Sequence, residues 1–238
     1  MILPKNEVNK HIVEEPHNFM IWGKPMSGKS YLAGLFPSPL FLNTDQNAQA
    51  NKYPFIQLKN EYDTVGKIKV SIIKQLDDII TALTVETHNY QTVIVDVIDD
   101  VEVLIAQAIC TEAGVTSLSD IPFGKGWSAQ KQAIQGFVTR LRTLPLNVIY
   151  ISREITKTDE KGVETETVPS LPEKWLNIVN GNCDLVIHTQ KYGERYNQKV
   201  TEQRKHYLKS KIDNKRLLQI LTYISYDWAK EPEKEAAK

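Results

Sequence analysis

The sequence predicts an α/β fold, with a mostly parallel central sheet flanked by helices and an antiparallel extension near the C-terminus. Three observations lead there. Short apolar runs rich in β-formers alternate with segments of helical period from residue 18 to residue 152, the pattern of strand–helix–strand units. A glycine-flanked run, Gly23-Lys24-Pro25-Met26-Ser27-Gly28-Lys29-Ser30, lies between one such strand and one such helix. Beyond residue 152, strand-like runs are joined by short polar turns.

Each element follows from its residues. Asn18-Phe19-Met20-Ile21-Trp22 reads as a buried strand, and Ser30 to Phe36 as a short helix that Pro37 ends. Pro39 to Asp45 is a second strand whose polar end places Asp45 at a C-terminal edge, where open α/β sheets hold ligands. Residues 46–69 carry no clear period. Ile72, Ile73, Leu76, Ile79, Ile80 and Leu83 share one helix face. Thr92-Val93-Ile94-Val95-Asp96 is a buried strand ending in a carboxylate. A helix from Asp100 to Ala113 stops at Gly114, and the loop Ser117–Trp127 leads into another helix that runs to about Leu144.

Asn147 to Ser152 is the next buried strand. Residues 156–167, centred on Asp159-Glu160-Lys161-Gly162, form a hairpin or mobile loop. Leu171 to Val179 is a short helix, and Leu185–Thr189, His206–Leu208 and Leu217–Leu221 are strand-like. Residues 1–228 are expected to form a single domain, with 229–238 a charged, disordered tail.

Composition bounds the class. A chain of 238 residues with 41% hydrophobic and 24% charged residues can bury one substantial core. No uninterrupted apolar run approaches the roughly 20 residues of a membrane span. The opening residues lack the charged and apolar regions of a signal peptide, and Cys110 and Cys183 form no C-x-x-C. The expectation is a reduced, cytoplasmic protein with no membrane partner.

The glycine-flanked run fits G-x-x-x-x-G-K-[ST] at every fixed position. Glycine lets backbone N–H groups approach an anion closely, the lysine supplies charge for the β- and γ-phosphates, and the serine hydroxyl suits Mg²⁺. The candidate nucleotide-binding residues are therefore Gly23, Lys24, Pro25, Met26, Ser27, Gly28, Lys29, Ser30 and the adjoining Tyr31. No N-K-x-D guanine motif is present, and ATP with Mg²⁺ is the expected cofactor pair. Asp96 is either a second Mg²⁺ ligand beside Ser30 or a cap for the following helix, and the upstream loop favours the metal. The residue after Asp96 is Val97 rather than a glutamate, so a water-activating base must come from elsewhere. Asp45 is the candidate, against an ordinary turn role. Lys29, Asp45 and Asp96 form the expected catalytic set.

Net charge is zero, yet Lys191 to Arg216 holds nine Lys/Arg against three Asp/Glu. Tyr192, Tyr196 and Tyr207 interleave with these cations, and flat rings among phosphate-binding charges suit single-stranded nucleic acid. The bland alternative is a solvated basic hairpin. Lys191, Arg195, Lys199, Arg204 and Lys205 are the candidate DNA contacts, with Lys125 and Trp127 weaker ones.

Taken together, the segments resemble the RecA-type recombinase core, most closely the short RecA-like ATPases of phages proposed to act in single-strand annealing. Phe41-Leu42-Asn43-Thr44-Asp45 is similar to the strand that ends in that family's catalytic glutamate. Val93-Ile94-Val95-Asp96 resembles its metal-side strand, and Lys209-Ser210-Lys211-Ile212 its Lys-x-Lys-Ile element. The resemblance implies a DNA-stimulated ATPase working as a ring or filament on single-stranded DNA, in the host cytoplasm if phage-encoded. Lys209 and Lys211 would then reach a neighbouring subunit's nucleotide, and a single-strand-binding protein is a further implied partner. Two departures stand out: Asp45 replaces glutamate, and Arg153-Glu154 replaces the Gln or His that commonly senses the γ-phosphate. A nucleotide-dependent switch or loader with little hydrolysis stays open as an alternative. A small-molecule kinase is a weaker one, since no arginine-bearing lid segment is evident.

Overall fold

The computed structural model describes residues 14–45 and 52–230. In chain order it contains β1 (Asn18–Gly23), α1 (Lys29–Gly34), β2 (Pro39–Asn43), β3 (Phe55–Gln57), β4 (Glu61–Tyr62) and β5 (Ile68–Val70). Then follow α2 (Ile72–Val85), β6 (Thr92–Asp96), α3 (Ile98–Ala113), α4 (Lys125–Arg142), β7 (Asn147–Thr158) and β8 (Glu164–Pro169). The chain closes with α5 (Glu173–Asn180), β9 (Leu185–Tyr192), β10 (Arg195–Gln203) and α6 (Lys215–Tyr223).

The main sheet runs β10-β9-β1-β7-β6-β2-β3, with β8 paired to the outer half of β7. The six strands from β9 to β3 are mutually parallel, while β10 and β8 are antiparallel additions. The expected architecture is therefore the observed one. Alternation along β1 sets its two faces. Phe19 and Ile21 join Leu32, Phe36, Leu217 and Leu221 beneath α1 and α6. Met20 and Trp22 join Leu76, Ile105, Phe137 and Trp175 beneath α2 to α5.

Several elements differ from their sequence-based expectation. Leu217–Leu221 is not a strand but part of α6, where Leu217, Ile220 and Leu221 are buried at i, i+3 and i+4. Asn214 caps it by accepting hydrogen bonds from Arg216 N and Leu217 N. His206–Leu208 is not a strand either. Tyr207 is 2% exposed and packs near Tyr226, which removes it from any base-stacking role. The unassigned stretch contains β3, a parallel edge strand, and the small β4–β5 hairpin.

Lys125 and Trp127 lie in the first turn of α4, with Trp127 48% exposed and Lys174 Nζ 4.5 Å from its ring centroid. The stretch Ile98–Asp120 reaches a mean hydropathy of 1.3, long and apolar enough by composition to cross a membrane. A count of consecutive apolar residues misses it because Asp99, Asp100 and Glu102 interrupt it; in this fold Val101, Ile105 and Ala108 pack into the core. The expected tail begins with Ala229, whose N–H bonds Tyr207 O at 3.0 Å, and from residue 231 onward it lies outside the described residues.

Candidate nucleotide site

β1 delivers the chain into the glycine-flanked loop, and two glycines are required there. A Cβ on Gly23 would sit 2.2 Å from Thr189 O on the neighbouring β9. Gly28 adopts φ 87°, a left-handed conformation, with the Tyr196 ring 3.2 Å from where its Cβ would be. The loop is tied to β9 by Ser27 Oγ and Thr189 Oγ1, 2.6 Å apart and buried. Lys29 is buried, and its amine donates to Gly23 O and Lys24 O at 2.8 Å each. Burial is the main reason its pKa falls below the ordinary lysine value, with Asp96 partly opposing the shift.

Ser30 Oγ donates to Asp96 Oδ2 at 2.7 Å. The two residues come from β6 and the start of α1, although β7 intervenes between β1 and β6 in the sheet. The acidic strand is thus one place removed from the loop's strand rather than beside it, and its end still converges on the loop. Burial raises the Asp96 pKa above the usual carboxylate range; the Ser30 hydrogen bond opposes this and the Asp45 charge adds to it. Asp45 follows two residues beyond β2, next to Thr44, whose hydroxyl lies 3.3 Å from Asp96 O.

A hydroxyl and a carboxylate with an unmet appetite for positive charge suit a hard cation. Among the described residues no group of three or more His, Cys, Asp or Glu forms a metal cage. That combination fits Mg²⁺, which is usually bound through one or two protein oxygens plus substrate phosphates and water.

The site holds residues the motif did not announce. Arg153, which pairs in register with Gly23, forms a bidentate pair with Asp100 at 2.5 and 2.7 Å. Asp99 accepts from Ser152 Oγ, Arg153 N and Ser170 Oγ. Glu154 is buried against His188, Nε2 to Oε2 2.8 Å, and lies 3.9 Å from the exposed Lys24 amine. His188 also stacks on Trp22 with centroids 3.8 Å apart. The readable signal for Asp99 and Asp100 was a pair of acids three and four residues after a strand-terminal aspartate. For Arg153 it was the end of the Asn147–Ser152 strand.

The expected DNA contacts do not form one surface. Lys191, Arg195 and Lys199 lie on the β9–β10 hairpin, with Lys191 Nζ 5.1 Å from the Tyr196 ring centroid. Arg204 lies past the far end of β10, where it bonds Gly181 O and Cys183 O, and Lys205 Nζ sits 5.0 Å from the Tyr207 ring. Lys209 and Lys211 follow in a short 3-10 turn, where Lys211 pairs with Glu14 at 3.3 Å. Glu14 precedes β1, so these lysines lie toward the N-terminal ends of the parallel strands, away from the chain's own phosphate loop.

A family model described as an AAA domain matches residues 15–214. Among solved structures, the chain is similar to the RadB recombinase at 12% identity and TM-score 0.45, over 79% of this chain and 82% of that one. It is also similar to the flagellar accessory protein FlaH from Methanocaldococcus jannaschii at 14% identity and TM-score 0.34, over 79% and 80% respectively. No curated protein matches it. The matched span takes in the phosphate loop, both acidic strand ends and the β9–β10 hairpin, and with that loop intact the chain belongs to the AAA domain family of P-loop proteins.

Proposed function

We propose that this chain is a RecA-like ATPase that binds single-stranded DNA and assists recombination or strand annealing as a homo-oligomer, in the manner of the short phage proteins it resembles. The observation that carries the nucleotide part is the convergence of Lys29, Ser30 and Asp96 on one point, with Ser30 and Asp96 in direct contact. In the reading we favour, the Lys29 amine exchanges the carbonyls of Gly23 and Lys24 for phosphate oxygens. Ser30 and Asp96 would hold Mg²⁺, which would supply charge neutralisation to the bound phosphates. Asp45 orients the attacking water, and its reach is one methylene shorter than a glutamate's.

The DNA part is supported by exposed Tyr192 and Tyr196 beside Lys191, Arg195 and Lys199. This hairpin also touches the loop through Thr189–Ser27 and Tyr196–Gly28. A cytoplasmic location and a single-strand-binding protein as partner belong to the same proposal.

Steady-state ATP hydrolysis, with and without single-stranded DNA, tests it. Lys29→Ala is expected to lose about 10²-fold or more, as removal of a phosphate-stabilising donor does. Unchanged turnover in that variant rules the site out as the hydrolytic one. The short reach of Asp45 favours a second reading, a nucleotide-dependent switch with little hydrolysis. Tight nucleotide binding without turnover under any DNA condition selects it.

A further inference from the structure

Arg153 stands in the middle of β7, the last residue there to pair with β1, with its Cα in register with Gly23 at the start of the loop. Its main chain is fixed by Asp99, which accepts from Arg153 N at 3.2 Å and from Ser152 Oγ at 3.0 Å. Its guanidinium is not fixed in that way. It grips Asp100 fork on fork, with the two side chains 42% and 32% exposed, so the pair lies open to an entering ligand. Gly23, the register partner of Arg153, is also the residue whose carbonyl accepts from the Lys29 amine, which puts Arg153 and Lys29 on either side of the same residue of the loop.

Asp100 has a second partner, Thr44 Oγ1, at 3.1 Å. That hydroxyl carries one proton and has a competing acceptor, Asp96 O, at 3.3 Å, while it accepts from Val97 N at 3.1 Å. It can serve Asp100 or Asp96 O, not both. Thr44 immediately precedes Asp45. A chain of contacts thus runs from Arg153 through Asp100 and Thr44 to the segment that carries the candidate water-positioning acid.

A terminal phosphate entering beside Lys29 offers the guanidinium a planar, more highly charged partner than a single carboxylate. Asp100, left behind in the first turn of the 16-residue α3, is solvated by water and favoured by the helix dipole. We propose that Arg153 and Asp100 form a latch operated by the nucleotide: Arg153 leaves Asp100 for the terminal phosphate of a bound nucleoside triphosphate, and the freed Asp100 resets Thr44 and the Asp45 segment. A diphosphate lacks that group and leaves the latch shut. This rests on the loop being the nucleotide site and names the device by which that site tells triphosphate from diphosphate.

The test compares the affinities of Mg²⁺-ADP and a Mg²⁺-bound non-hydrolysable ATP analogue for wild type, Arg153→Ala, Arg153→Lys and Asp100→Asn. Arg153→Ala is expected to lose about 10-fold or more in triphosphate affinity, the worth of a charge-assisted contact, with diphosphate affinity unchanged. Arg153→Lys restores part of the loss. Asp100→Asn loosens the grip on Arg153 and moves the ratio the other way, toward triphosphate, an effect that a merely structural ion pair does not produce. Equal loss of both nucleotides in Arg153→Ala, or a lower triphosphate preference in Asp100→Asn, overturns the latch while leaving the loop reading intact. Failure of wild type to bind either nucleotide sinks both, and there Lys29→Ala would make no difference.

Discussion

Asp96 meets opposing demands at the scale of one residue. Burial and the Asp45 charge raise its pKa above the ordinary 3.8, so the folded chain holds that proton more tightly than the unfolded chain does. Between the unfolded and folded values the native state binds more protons, and stability therefore falls as pH rises through that window. At neutral pH the ionised carboxylate costs stability that a bound cation would return. Asp96→Asn keeps an acceptor for Ser30 and removes the charge. It is expected to raise the melting temperature of the nucleotide-free protein at pH 7 by about 2–4 °C, the shift that ~1 kcal/mol produces in a domain of this size. The same substitution should abolish the Mg²⁺ dependence of nucleotide binding, and thermal unfolding with a magnesium titration checks both halves. A lower melting temperature at pH 7 would refute the account. Asp100 has the opposite sign, because Arg153 holds its pKa down, so its contribution is present above the ordinary value and lost as pH falls through the folded one. Lys29, Ser30 and Asp96 were legible in the sequence because each sits at a fixed place in a local pattern. Arg153 was legible as the residue after a buried strand, but its pairing with Asp100 and Thr44 was not, because their meeting depends on β7 being threaded between β1 and β6, a long-range fact that no local spacing encodes.

Local period decides which elements a sequence announces. α2, β6 and the Gly114 stop of α3 were legible because each window was long enough, or punctuated sharply enough, to show its period. Leu217-Leu218-Gln219-Ile220-Leu221 is five residues, too few to separate a buried strand from a helix face. Widening the window to Ile224 shows apolar residues at i, i+3, i+4 and i+7, and Asn214 stands one residue before the first turn as a cap. β3 escaped notice because Phe55 and Ile56 are half-exposed at the sheet edge and the strand is only three residues long. The cap makes the helical assignment testable. Asn214→Ala removes the acceptor for two orphan N–H groups and should cost about 1 kcal/mol, whereas Asn214→Asp or Asn214→Ser should be near neutral. Denaturant midpoints at unchanged slope measure this. An Asn214→Ala variant as stable as wild type would remove the cap from the account.

The whole molecule gathers its chemistry at one edge of the sheet, since β1, β2, β6 and β7 are parallel and end on the same side. The antiparallel β10 then carries the basic stretch from that edge to the opposite one. Arg195 and Arg204 are separated by nine residues of extended chain, about 30 Å at strand rise. A stretch that is contiguous in sequence is therefore two separate surfaces, which a charge count along the chain could not reveal. Lys191, Arg195 and Lys199 share the phosphate-loop edge; Arg204 and Lys205 sit against main-chain carbonyls and Tyr207 at the other. If single-stranded DNA binds at the nucleotide edge, only the hairpin cations release counterions on binding. Replacing Lys191, Arg195 and Lys199 with alanine should flatten the log–log salt dependence of DNA affinity by about 2, at roughly 0.7 per lost phosphate contact. Replacing Arg204 and Lys205 should leave that slope where it was. Fluorescence anisotropy across a salt series measures both. A slope that responds to the Arg204 and Lys205 pair but not to the hairpin would move the DNA path to the far edge, away from the phosphate loop of the same chain.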